Sequence, residues 1–143
     1  TAFHAHFREM LLHASARFEL VCPVYCLMPD HLHLLWLGIS LRSDQWLAVS
    51  FMRTHLHPAL APVRFQAQPH DHVLREHECE RGGFEARAHY VLQNPVRKGL
   101  VNGVAEYEYG GCMIPGYPEL KLTMPDFWDR FWRLYACLCR RQA

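Results

Sequence analysis

The stretch from Glu19 to Leu37 constrains this chain more than any other. Residues 20–28 read Leu-Val-Cys-Pro-Val-Tyr-Cys-Leu-Met, an apolar run rich in residues that favour a pleated surface. Pro29-Asp30 then signals a turn, and His31 to Leu37 forms a second run of the same kind. Two strands across so short a turn are most simply an antiparallel hairpin. Pro23 cannot donate to a ladder, so it predicts an edge or a bulge within the first strand.

Helical periodicity flanks the hairpin. Phe3, Phe7, Met10, Leu11, Ala14 and Phe18 recur at helical spacing over Ala2 to Phe18. Ser43 or Asp44 can cap a helix that runs to about His57, where Pro58 ends it. Residues 63–68 and 71–76 read as short extended segments. Gly82-Gly83 predicts a break before a helix over Phe84 to Gln93, which Pro95 terminates. After Gly99 the chain turns loop-like. A last amphipathic helix, 125–141, carries Phe127, Trp128, Phe131, Trp132, Leu134 and Tyr135. With 143 residues and no internal repeat, 1–143 reads as one domain. The order of elements predicts an α+β fold, a small antiparallel sheet with helices packed on one face.

Composition narrows the function classes. The formal net charge is only +1, which argues against a large non-specific nucleic-acid binder but leaves room for a local basic groove. Most of the 15 Lys and Arg residues are Arg, the side chain that grips phosphate in a planar fork. Cysteines 22, 26, 79, 112, 137 and 139 lack finger or knuckle spacing, so structural zinc is not indicated. Cys22 and Cys26 read as small core residues. No signal peptide and no apolar stretch of membrane-spanning length is present, which fits the cytoplasm and no membrane partner.

His31-Leu32-His33 carries the chemistry. On a strand, residues i and i+2 share a face, so both imidazoles project together while Leu32 turns to the core. Two neutral imidazoles on a rigid element make half of a divalent-metal site. Three other His-x-His pairs temper the signal. His4/His6 and His55/His57 fall in helical segments, where i and i+2 diverge, and His70/His72 remains a rival if its segment is extended. Tyr90 and Asn94 supply the other half. At i and i+4 on a helix, a phenol and a carboxamide share one side. A tyrosinate can attack phosphorus beside a metal, and an amide oxygen is an acceptable hard ligand for Mg²⁺ or Mn²⁺. The plainer readings are a core or rim tyrosine and an asparagine that stops a helix before proline.

The segments Leu27-Met-Pro-Asp-His-Leu-His-Leu-Leu-Trp36 and Tyr90-Val-Leu-Gln-Asn-Pro-Val-Arg-Lys-Gly-Leu-Val101 together resemble the HUH single-tyrosine transposases. The REP-associated tyrosine transposase branch is the most similar. Asp71-His72-Val73-Leu74-Arg75 also resembles that family's Asp-x-x-x-Arg segment, and the likeness runs from about residue 5 to 110. It implies a ferredoxin-like domain acting on single-stranded DNA folded into hairpins. His31, His33 and Asn94 would hold Mg²⁺ or Mn²⁺, and Tyr90 would attack the scissile phosphate, leaving a 5′-phosphotyrosine link and a free 3′-hydroxyl. Family members include monomers and tyrosine-exchanging dimers, and the closer likeness favours a monomer. They usually carry a strand and a basic stretch before the first helix, and an aromatic-Ser-Ser segment where this chain has Glu108-Tyr109-Gly110-Gly111.

Other features have two readings each. Gly82-Gly83 is a hinge for the tyrosine helix or a plain loop. Arg87, Arg97 and Lys98 around the tyrosine, and Arg53 on its own helix, are placed for phosphate contact or are surface charges. The C-terminal aromatic stripe stacks bases or packs the core. Three functions remain open: tyrosine transesterase, hairpin-binding module of the same fold without catalysis, or a metallo-hydrolase built on His70/His72.

Overall fold

A computed structural model describes residues 1–66, 80–118 and 120–142. Helix α1 spans Ala2–Arg17, strand β1 Leu20–Leu27, strand β2 Leu32–Gly38 and helix α2 Gln45–Leu60. Helix α3 spans Arg81–Leu92, the single-turn helix α4 Asn94–Arg97, strand β3 Gly110–Met113 and helix α5 Phe127–Gln142. A 3₁₀ turn, Val104–Glu106, precedes β3. The fold is α+β, with β1 central in an antiparallel sheet of order β2-β1-β3.

The hairpin forms as its sequence requires. Tyr25 pairs with Leu34, Cys26 with His33 and Leu27 with Leu32, and the turn closes where the Met28 amide donates to the His31 carbonyl at 2.8 Å. Pro23 lies in a central strand, yet both ladders shift register around it, between Val21 and Val24 on one side and between Cys22 and Tyr25 on the other. A bulge on each flank removes the need for the amide hydrogen proline lacks.

Helices lie against both faces of the sheet, not on one as the order of elements predicts. The reason is β1 itself, every residue of which up to Cys26 is buried. Leu20, Cys22 and Tyr25 pack with Phe7, Leu11 and Ala14 of α1 and Ala48, Met52 and Leu56 of α2. Val24 and Cys26 pack with Ala88 and Val91 of α3, and Val21 packs with Phe84 of α3 and with Phe127, Phe131 and Trp132 of α5. A strand apolar on both sides needs cover on both. β2 follows the same parity. Leu32, Leu34 and Trp36 join the α1–α2 side, whereas Leu35 and Leu37 join the other.

Three boundaries differ from expectation. Asp44 caps α2, its Oδ1 accepting from the Leu47 amide at 2.9 Å, but the helix continues through Pro58 to Leu60. Proline in the last turn forfeits one ladder bond there and does not end the packing. Gly82 and Gly83 do not break the chain ahead of α3; they form its first turn, where amide hydrogens need no helical partner. The plain-loop reading therefore does not apply to them. Residues 63–66 have no regular structure; the rest of both extended segments, with His70, His72 and the Asp71–Arg75 segment, lies outside the described residues.

The aromatic stripe of α5 is core. Phe131 is fully buried and Trp132 nearly so, and the Trp132 indole donates to Glu85 Oε1 of α3 at 2.7 Å. None of the described helices is long and apolar enough to cross a membrane.

Candidate metal and nucleophile site

His33 stands directly opposite Cys26 on β1, and paired residues of an antiparallel ladder share a face. Cys26 packs on Ala88 and Val91 of α3. His33 is therefore on the side of the sheet that α3 covers. His31 lies just before β2, in the turn rather than in the strand as expected. Its ring nevertheless meets that of His33, the two Nε2 atoms 3.1 Å apart and the rings edge to face. Asp30, read from sequence only as a turn residue, accepts from His31 Nδ1 at 2.6 Å. That bond places a proton on His31 Nδ1 and leaves the Nε2 lone pair to face His33.

The charges around the pair favour ligand behaviour. Burial, the His31 ring and the Arg97 guanidinium push the His33 imidazole below its ordinary value, toward its neutral form. The His31 hydrogen bond chiefly holds the Asp30 carboxyl below the usual carboxylate range, and Lys98 adds to this.

Tyr90 and Asn94 sit on α3 and α4 rather than on one continuous helix, with Gln93 between them. Pro95, buried, begins the new turn. Arg97 joins the two residues. Its guanidinium lies 3.8 Å from the centre of the Tyr90 ring, and its Nη2 donates to Asn94 Oδ1 at 2.6 Å. Asn94 Nδ2 donates back to the Val91 carbonyl at 3.1 Å, which turns the amide oxygen outward. The Tyr90 side of α3 is open, with the ring about half exposed at 54%. The ring contact and the amide contact both belong to one side chain, Arg97, whose charge also helps to lower the His33 imidazole.

Donor chemistry fits a divalent cation at the histidine pair. Two Nε2 atoms this close must share a hydrogen or a cation, and a carboxylate on the far nitrogen of one ring is the usual support for a ligating imidazole. Among the described residues no group of three His, Cys, Asp or Glu converges. An amide oxygen and substrate oxygens would complete the set, which suits Mg²⁺ or Mn²⁺ better than a closed structural site.

Other predicted residues disperse. Arg53 lies on α2, across the sheet from the histidines, where its guanidinium covers the Phe65 ring at 5.5 Å and donates to the Gln66 carbonyl. It borders an open groove of about 450 Å³ with Thr54, His57 and Arg64. Arg87 is on α3, one turn before Tyr90, partly buried and engaged with neighbours. Lys98 follows α4. The rival helical pairs diverge as expected. His4 Nε2 meets the Tyr25 hydroxyl at 3.1 Å while His6 Nε2 meets the His55 carbonyl. His55 is tied by Nδ1 to the Phe51 carbonyl, away from His57. A cleft of about 310 Å³ between Cys26, Leu92, Tyr107 and Leu122 includes none of the predicted site residues.

Comparison of the chain with protein-family models, with curated proteins and with solved structures finds no match.

Proposed function

We propose that this chain is a metal-dependent, tyrosine-mediated DNA strand transferase of the HUH single-tyrosine type, acting on single-stranded DNA with hairpin structure. The observation that carries the reading is the Asp30–His31–His33 relay. It presents two Nε2 atoms 3.1 Å apart, with His33 on the sheet face covered by α3, the helix that bears Tyr90.

His31, His33 and the Asn94 oxygen would hold Mg²⁺ or Mn²⁺. When bound, that ion supplies charge to polarise the scissile phosphate. The rest falls to side chains. Tyr90 loses its proton and its Oη attacks phosphorus; the Tyr90 O–P bond forms as the P–O3′ bond breaks, releasing a 3′-hydroxyl. Attack by a 3′-hydroxyl reverses the step, so rejoining needs no external energy source. Arg97, against the Tyr90 ring, and Lys98 beside it suit phosphate contact. Association of Tyr90, Asn94 and Arg97 on the helices that cover the His33 face of the same sheet supports a site completed in cis and a monomer as the working unit.

A second reading, hairpin binding without cleavage, takes its support from Arg97, which covers both the Tyr90 ring and the Asn94 oxygen. Incubation of a labelled hairpin-bearing single strand with the protein and Mn²⁺ separates the two. Covalent protein–DNA product that disappears in Tyr90→Phe, with binding retained, supports the transferase. Binding without product favours the second reading, and product persisting in Tyr90→Phe removes Tyr90 as the nucleophile.

A further inference from the structure

We propose that Arg97 is a latch on the third ligand position, holding the Asn94 oxygen until a divalent cation on His31 and His33 displaces the guanidinium toward substrate. This rests on the metal reading above.

The Asn94 carboxamide is already oriented for a cation. Its nitrogen is spent on the Val91 carbonyl, so the oxygen alone faces out. A guanidinium now occupies that oxygen at 2.6 Å. Arg97 forms no ion pair among the described residues; its guanidinium meets the neutral Asn94 oxygen and the Tyr90 ring face. Such contacts are modest for a full positive charge, and a carboxylate in their place would hold it far more firmly. Movement is also easy. Arg97 is exposed, and it ends a single-turn helix that Gly99, at φ +68°, terminates two residues on.

A cation that takes the Asn94 oxygen as its third ligand would meet the Arg97 guanidinium already held there. Two positive charges on one amide oxygen repel, and the divalent ion also has two imidazoles that the arginine lacks. The arginine is therefore the group that leaves. Released, it has a planar pair of donors beside the nucleophile, which matches a phosphodiester. Binding of the metal and delivery of an arginine to phosphate become one event.

The test is Mn²⁺ binding by calorimetry to the protein without DNA, in the wild type, Arg97→Gln, Lys98→Gln and His33→Ala. We expect Arg97→Gln to bind Mn²⁺ about tenfold more tightly, and Lys98→Gln, which removes an equal charge close by, to change affinity much less. A wild type that binds no Mn²⁺ while Arg97→Gln does is the same result in stronger form. Equal tightening in both charge variants, or none in Arg97→Gln, overturns the latch while leaving the metal reading intact. Failure of all proteins to bind, or binding unaffected by His33→Ala, overturns the metal reading and the latch with it. Mg²⁺ titration followed by NMR gives a second readout. The Arg97 side-chain protons, shifted upfield by the Tyr90 ring, should return toward ordinary positions; protons that keep their ring shift at saturating Mg²⁺ overturn the displacement.

Discussion

Asp30 takes a hydrogen bond from Nδ1 of His31 at 2.6 Å, and so determines which nitrogen of that ring faces His33. Asp30→Ala frees the ring to rotate and to exchange tautomers. Mn²⁺ affinity should fall roughly ten- to a hundredfold, with the melting temperature nearly unchanged because Asp30 is exposed. Calorimetric titration beside a thermal melt measures both.

Gly111 is the partner of Tyr25 across the β1–β3 ladder. A Cβ there would come within 2.7 Å of the Tyr25 hydroxyl and 2.9 Å of two ring carbons. The ring is fully buried and its hydroxyl is held by Arg8 and His4, so it has little room to yield. Gly111→Ala should cost about 1–3 kcal/mol in a urea unfolding experiment.

Much of this architecture was legible in the sequence, and the reasons differ residue by residue. α1, the hairpin and α5 follow local apolar periodicity, which needs no partner to be read. Pro23 announced an edge or a bulge because its missing amide hydrogen is a local fact, and the central place of β1 leaves the bulge. β3 gave no such sign. Gly110 and Gly111 disfavour strands, and they form one here only because β1 supplies the pairing and Tyr25 demands a residue without a side chain. Asp30 looked like a turn residue because its second task depends on where the His31 ring points. Arg97 looked like one phosphate contact among several, since its grip on Tyr90 and Asn94 exists only after α4 turns.

Phe131 and Trp132 tie α5 to α3 and to β1. Phe131→Ala should destabilise the fold by about 3–5 kcal/mol. Trp132→Phe keeps most of the packing but leaves Glu85 without its indole donor, a smaller loss of about 1 kcal/mol. Chemical denaturation of the two variants gives the ranking.

His4 gives stability a pH dependence. Burial, then the Arg8 charge, lowers its imidazole below the ordinary value of 6.5. The unfolded chain therefore binds a proton that the folded chain resists. Stability from this group is complete above pH 6.5 and is lost as pH falls from there through the lower folded value. His4→Gln should flatten that part of the profile, seen as a smaller difference in urea midpoint between pH 7 and pH 5 than in the wild type.

Thiol reactivity should divide the cysteines. Cys22 and Cys26 are buried in β1. Burial pushes the Cys22 thiol well up, Cys26 up to about 11 and Cys112 up to about 12. These three should resist iodoacetamide at pH 7.5 in the native protein and react once urea unfolds it, as read by mass spectrometry.

The opposition of His33 and Cys26 in the hairpin register has a consequence for inheritance as well as for geometry. A single codon inserted or deleted between Met28 and Leu32 could preserve every strand and helix while shifting β2 by one step. Each side chain of that strand would then exchange sides, sending His33 toward α1 and α2 and Leu34 toward α3. The phase of two strands, set locally by a four-residue turn, thus governs whether residues far apart in the gene can ever meet.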